Sequence, residues 1–239
     1  MQGVIFVDKP AGMTSFDVIA RLRRITQIRK IGHAGTLDPF ATGLLIICIS
    51  RLATKFIDEF ARLNKTYTAI LKLGEKTDTA DIEGRIIEVR NVPDNIDENI
   101  EGVLTSFLGE IDQVPPQFSA IKKDGVRLYK TARKGVQIDV ESRKVYINSL
   151  SFINYQKPYI EFKATVSKGT YIRSLGEDIA AKLGTVGHLT ELRRDSIGPF
   201  SVINALRLED ITMEIIENSI KPVEEAIASV QKYHNEKSS

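Results

Sequence analysis

The chain has 239 residues, enough for one large domain or for one domain with a smaller appendage. Hydrophobic residues at 42% and charged residues at 27% argue for a globular protein and against a disordered chain or a fibre. A net charge of +2 names no partner, and the one cysteine, Cys48, excludes an intramolecular disulfide framework and a four-cysteine zinc site.

Val4 to Val7 reads as a short apolar strand leading into Asp8-Lys9-Pro10. Thr14 or Ser15 can cap a helix whose apolar face is Val18, Ile19, Leu22 and Ile25. A glycine-punctuated loop is expected from Gly32 to Gly43, and then a buried strand from Leu44 to Ile49. That apolar run is the longest in the chain and is far too short to cross a bilayer. The N-terminus shows no basic region of a secretory signal. Cytoplasm is therefore the expected compartment, with no membrane partner.

Ala53 to Leu63 reads as a helix. Tyr67 to Leu73 alternates as a strand with Tyr67, Ala69, Leu71 and Leu73 on one face. Gly74 to Gly84 is a loop rich in threonine and aspartate, and Ile96 to Leu108 an acidic helix. The pair Pro115-Pro116 ends that pattern, because proline cannot continue a helix. A turn at Asp124-Gly125 and a short helix around Leu128 to Lys134 follow. Val145 to Phe152 and Tyr159 to Val166 read as strands, and Lys168-Gly169-Thr170 opens a helix with Ile172, Leu175, Ile179 and Leu183 on one face. Gly184 to Gly198 is a loop and strand, and the chain is expected to end in a helix and a loose polar tail, Lys232 to Ser239. Pairable strands with dispersed helices predict an α+β or mixed-sheet fold.

Charge is distributed unevenly. Residues 75–112 hold 3 basic and 11 acidic side chains, whereas residues 118–145 hold 8 basic and 3 acidic ones. The basic stretch can meet a polyanion, or it can be a solvated face that happens to be basic.

The chain lacks a phosphate-binding glycine loop ending in Lys-Ser or Lys-Thr, a Gly-x-Gly-x-x-Gly fingerprint and a Gly-x-Ser-x-Gly elbow. His33, His188 and His234 are widely spaced and suggest no metal centre. An enzyme built on this sequence is expected to work with side chains alone.

The densest candidate segment is Gly32 to Gly43. Asp38 precedes Pro39, which holds its backbone extended and projects a short carboxylate from a stiffened loop. Leu37 and Phe40 would limit water around it. The general reading of Asp-Pro is the start of a turn, and that of a lone histidine such as His33 is a structural hydrogen-bonder. In Ser167-Lys168-Gly169-Thr170-Tyr171-Ile172-Arg173 a cation stands in the first turn of a helix, where the dipole is already positive. Arg173 then needs either a carboxylate or anionic ligand, or the intrahelical partner Glu177. Tyr67, at the start of a strand, reads more readily as core or sheet surface than as a base-stacking platform, and Leu192-Arg193-Arg194, a leucine beside a cationic pair, as ordinary surface.

Together, and in this order, these segments resemble the bacterial tRNA pseudouridine-55 synthases, the TruB family. The resemblance lies in Asp8-Lys9-Pro10 with Gly12 and Ser15, and in the loop from Gly32-His33 through Leu37-Asp38-Pro39 to Gly43. It continues in Lys65-Thr66-Tyr67, Thr77-Asp78-Thr79, Gln113-Val114-Pro115-Pro116, Lys168-Gly169-Thr170-Tyr171-Ile172-Arg173 and Leu192-Arg193-Arg194. It runs from about residue 3 to about residue 200.

The resemblance implies a pseudouridine synthase fold: a mixed, mostly antiparallel central sheet flanked by helices and loops, with an RNA-gripping insertion. It implies an isomerase that turns uridine 55 in the T loop of tRNA into pseudouridine with no cofactor and no metal. Asp38 matches the catalytic aspartate, which forms the covalent adduct or manages the proton and the sugar cation. Arg173 matches its arginine partner and Tyr67 the tyrosine stacked on the flipped uracil. Tyr171 and Leu192 match residues packed around the base, and His33 the histidine that fills space vacated in the T loop. Lys9 and Pro10 look structural. Lys122, Lys123, Arg127, Lys130, Arg133 and Lys134 would contact RNA phosphates, setting affinity rather than choice of base. The expected division is a catalytic domain over residues 1–225, including the insertion at about 118–145, and a polar tail over 226–239 with no full PUA-type domain. The expected partner is the T-arm stem-loop of tRNA, with no obligate protein partner.

Overall fold

The computed structural model describes residues 1–116, 118, 122–123, 126–127 and 140–238. The chain forms two compact units, Met1–Tyr67 with Leu192–Ser239, and Thr68–Glu191. It leaves the first unit within the strand Lys65–Leu73 and returns within the strand Gly187–Ile197.

The first unit is organised by the strand Thr42–Ile49. It pairs antiparallel with Gly3–Lys9, from Gly3 opposite Ile49 to Lys9 opposite Gly43. It also pairs antiparallel with Ile31–Ala34 and parallel with Gly187–Ile197 at Arg193 and Arg194. Every residue from Leu44 to Ile49 is fully buried because both faces of the strand are covered. The two-residue period sends Leu44, Ile46 and Cys48 into one core, with Phe60, Leu63, Ile197 and Phe200. Leu45, Ile47 and Ile49 enter another core, with Val18, Ile19 and Leu22 from the helix Ser15–Thr26. Thr14 caps that helix and Asp17 returns the bond to the Thr14 backbone, which satisfies two otherwise orphaned N–H groups.

Three features of this unit depart from the sequence reading. The first residues of the expected glycine loop are the strand Ile31–Ala34, so His33 stands on a strand, opposite Ile47. The helix expected over 53–63 is two short ones, Ser50–Thr54 and Ile57–Arg62. At the break Thr54 Oγ1 donates back to the Arg51 carbonyl (3.2 Å) and Phe56 N closes on the Ala53 carbonyl (3.1 Å). Residues 232–238 of the expected loose tail belong instead to the helix Val223–Ser238, whose Val223, Ala226 and Val230 are buried in the first core; Ser239 lies outside the described residues.

In the second unit Arg143–Gln156 pairs antiparallel with both Tyr159–Val166 and Gly109–Gln113. Glu75–Thr77 and Ile86–Val89 form a separate antiparallel pair within residues 74–89. The expected alternation of Tyr67, Ala69, Leu71 and Leu73 is present, and all four are buried. The helix Ile172–Lys182 buries Ile172, Leu175 and Ile179 as its periodicity predicts. It packs so closely that a Cβ on Gly176 would stand 2.9 Å from Leu189 Cδ2. The acidic segment begins with the 3-10 turn Asp97–Asn99 and continues as the short helix Ile100–Thr105. In the basic stretch the strands Lys122–Lys123 and Val126–Arg127 pair antiparallel. The Asp124-Gly125 turn, the helix expected at 128–134, and Lys130, Arg133 and Lys134 lie outside the described residues. In both units strand pairing is mostly antiparallel; the first also has the parallel pairs of Thr42–Ile49 with Gly187–Ile197 and of Gly3–Lys9 with Leu206–Arg207. No helix among the described residues is long and apolar enough to cross a membrane.

Candidate active site

The first unit carries Asp38, His33, Tyr67 and Leu192. Asp38 is half-buried in the loop between Ile31–Ala34 and Thr42–Ile49, with Leu37, Phe40 and Ala41 buried around it. Loop carbonyls have no strand partner and must find donors elsewhere. Ser15 Oγ donates to the Leu37 carbonyl (3.2 Å) and accepts from Leu37 N (2.9 Å). Gly12 N and Lys9 Nζ both donate to the Pro39 carbonyl (2.9 and 3.2 Å). Ala41 N donates to the Asp38 carbonyl (3.2 Å), closing a turn over the proline. Lys9 is fully buried, and its ammonium also donates to the Pro10 and Met13 carbonyls (2.8 and 2.7 Å).

Arg193 and Arg194 are not the surface pair that their sequence suggests. Arg193 grips Asp8 with both ends of its guanidinium (3.1 and 2.7 Å). Arg194 is 1% exposed and donates to the carbonyls of Gly35 (3.0 Å), Thr36 (3.4 Å) and Leu44 (2.7 Å). His33 is half-buried, and its Nδ1 has no hydrogen-bond partner among the described residues. Burial, and secondarily the Arg194 charge, lower its pKa, so the neutral imidazole is favoured. Tyr67 and Leu192 are both buried.

The second unit carries Tyr171 and Arg173. Arg173 is 3% exposed in the first turn of its helix. Its charge partner there is Asp81, 3.2 Å away, and it also donates to the carbonyls of Thr79 (2.8 Å) and Phe118 (2.9 Å). The intrahelical alternative is not taken, because Glu177 pairs with Lys76 (3.3 Å). Asp81 is the residue that sequence reasoning missed. It is buried, takes a bond from Thr79 Oγ1 (2.6 Å) and from Glu83 N (3.1 Å), and its carbonyl accepts from Thr77 Oγ1 (2.8 Å). The available signal was Thr77-x-Thr79-x-Asp81, in which short hydroxyls can satisfy a carboxylate two residues on.

Tyr171 precedes the helix. Its main chain is held on both sides by buried Gln113, which accepts from Tyr171 N (2.8 Å) and donates to the Tyr171 carbonyl (3.1 Å). Its ring faces the Arg143 guanidinium at 4.9 Å, and Arg143 in turn bonds the Gly169 carbonyl. Ser174 Oγ fastens the same helix to the Val114 carbonyl (2.9 Å). Of the basic residues expected to meet phosphate, Lys122, Lys123 and Arg127 stand on the two short strands of the insertion. Among the described residues, no group of three or more His, Cys, Asp or Glu side chains is gathered as metal ligands would be.

Comparison with solved structures defines the class first: the fold is that of the pseudouridine synthases. The chain is 29% identical to one in the crystal structure of a Cbf5-Nop10-Gar1 complex, with a TM-score of 0.73, covering 95% of this chain and 62% of that one. It is 27% identical, with a TM-score of 0.71, to a chain in the structure of an H/ACA RNP bound to a substrate RNA containing 2'-deoxyuridine, covering 95% of this chain and 61% of that one. It thus spans less than two thirds of either chain. Residues 23–172 match the model of the TruB family pseudouridylate synthase N-terminal domain, and residues 173–228 that of the tRNA pseudouridylate synthase B C-terminal domain. The protein named tRNA pseudouridine synthase B of Clostridium tetani is 45% identical over 97% of this chain and 80% of its own length. That of Syntrophotalea carbinolica is 46% identical over 89% of this chain and 69% of its own. The chain belongs to the TruB family of pseudouridylate synthases, which are isomerases.

Proposed function

We propose that this protein isomerises uridine 55 in the T loop of tRNA to pseudouridine, acting in the cytoplasm. The bond from ribose C1′ to uracil N1 breaks, the base turns, and C5 joins C1′. The proton lost from C5 is balanced by the one gained at N1, so neither cofactor, metal nor net water is consumed. The observation that carries the reading is the Asp38 loop, whose carbonyls from Gly35 to Pro39 are all hydrogen-bonded. A carboxylate on so constrained a backbone is placed before substrate arrives, as electrostatic or nucleophilic catalysis requires.

Asp38 acts at C1′, where its negative charge either forms the sugar adduct or balances the sugar cation. The family resemblance assigns Arg173 as partner to that aspartate, since a guanidinium keeps a carboxylate ionised. Its bonds to Asp81, Thr79 and Phe118 set the plane of the fork. A uracil inside a folded loop is reached only by extrusion, and Tyr67 is assigned as its stacking platform. Tyr171 and Leu192 wall the base, and His33 fills the space it leaves in the T loop. Lys122, Lys123, Arg127, Lys130, Arg133 and Lys134 meet the phosphates of the T arm.

The test is incubation with an unmodified tRNA transcript followed by chemical mapping of pseudouridine. One product at position 55 is expected, and none from Asp38→Asn, which should still bind tRNA. A wild-type protein that leaves the transcript unmodified sinks the reading, and measurable isomerisation by Asp38→Asn sinks the aspartate's role.

A further inference from the structure

We propose that Arg194 is a positioning residue for Asp38, a role that rests on the catalytic reading of Asp38 above. Its strand, Gly187–Ile197, runs parallel to Thr42–Ile49, with Arg193 opposite Thr42 and Arg194 opposite Gly43. The main chains touch there: Gly43 has a φ of +107°, and a Cβ on it would stand 2.3 Å from the Arg194 carbonyl oxygen. From this anchor the Arg194 guanidinium reaches both ends of the loop. It donates from Nε to Leu44, just past the loop, and from its terminal nitrogens to Thr36 and Gly35, just after it begins. One planar group therefore sets the distance between the two stems from which Asp38 projects.

The physical cost of this arrangement points beyond folding. Among the described residues no carboxylate pairs with Arg194, so a buried cation is satisfied by carbonyl dipoles alone. Burying a charge in that way is expensive. Carbonyls could be satisfied by neutral donors, whereas only a guanidinium offers a rigid fork of fixed spacing. The two-residue period of the strand adds a second relationship. Arg193 turns to one side, toward Asp8, while Leu192 and Arg194 share the other. Leu192 is assigned above to the wall around the base. A single strand thus carries both the brace of the carboxylate's loop and a wall of the base site. A misplacement of about 1 Å between reacting groups can cost on the order of 10²-fold in rate.

The experiment compares wild type, Arg194→Lys and Arg194→Met with tRNA transcript. Single-turnover isomerisation is normalised to the fraction of tRNA bound, and Kd and the thermal midpoint are measured alongside. All rates are taken well below each variant's midpoint, so that only folded protein contributes. The expected result is a rate on the order of tenfold to 100-fold lower for both variants, Arg194→Lys included, with Kd within about twofold of wild type. Retention of the wild-type rate by either folded variant overturns the proposal. So does a loss of rate matched by an equal loss of binding, because a merely structural arginine would lower both together. An inactive wild type would instead refute the proposed function.

Discussion

Arg173 and Asp81, 92 residues apart in the chain, form an ion pair of 3.2 Å with both side chains buried. A pair of this kind is costly to half-remove, because the remaining charge stays out of water. Asp81→Asn is expected to lower the free energy of unfolding by about 3 kcal/mol, read as a fall in the urea midpoint at unchanged slope. An unaltered midpoint would show that the carboxylate does not hold the arginine.

Arg173 donates from Nη1 to the Asp81 carboxylate and the Thr79 carbonyl and from Nη2 to the Phe118 carbonyl. A lysine keeps the charge but cannot reproduce a two-ended planar contact. Arg173→Lys should therefore turn over at least about 10²-fold more slowly while binding tRNA normally. Near-normal turnover would remove Arg173 from the reaction.

The phosphate contacts proposed for the basic insertion predict a strongly salt-dependent affinity. Replacing Lys122, Lys123 and Lys130 together with alanine should weaken tRNA binding and flatten the plot of log affinity against log salt by about two units of slope. If the slope is unchanged, the RNA backbone is held by other cations.

His33 titrates lower in the folded protein than its usual value of 6.5, first through burial and then through the Arg194 charge. Below pH 6.5 the unfolded chain takes up a proton that the folded chain refuses. Stability should therefore fall as the pH drops through the interval between 6.5 and the lowered value, and this contribution should be flat above it. Urea unfolding at about pH 7.5 and about pH 5 should show a smaller acid loss for His33→Gln than for wild type. Equal losses would mean that the imidazole is not the acid-sensitive group.

The features legible in the sequence are those that repeat locally. Alternation marked Tyr67, Ala69, Leu71 and Leu73, and the helical period marked Ile172, Leu175 and Ile179; all seven are buried. Loop chemistry singles out Gly32 to Gly43. What escaped depends on distant partners or on burial. Nothing within a turn of Arg173 announces Asp81, and Glu177 offers a nearer partner that the fold gives to Lys76. Arg194 reads as surface because cations usually are, and its burial follows from carbonyls some 150 residues earlier in the chain. A last helix was legible, but its continuation past Lys232 was hidden by polar residues, although Val223, Ala226, Ile227, Val230 and Tyr233 form a stripe at helical spacing.

Gln113 holds Tyr171 by its main-chain N–H and carbonyl alone, and takes no part in the contact of the phenol ring with Arg143. The entrance to the helix is thus secured without reference to which aromatic group stands there. Selection could retune that ring for a different nucleotide context, one substitution at a time, while the scaffold beneath it stays bolted in place.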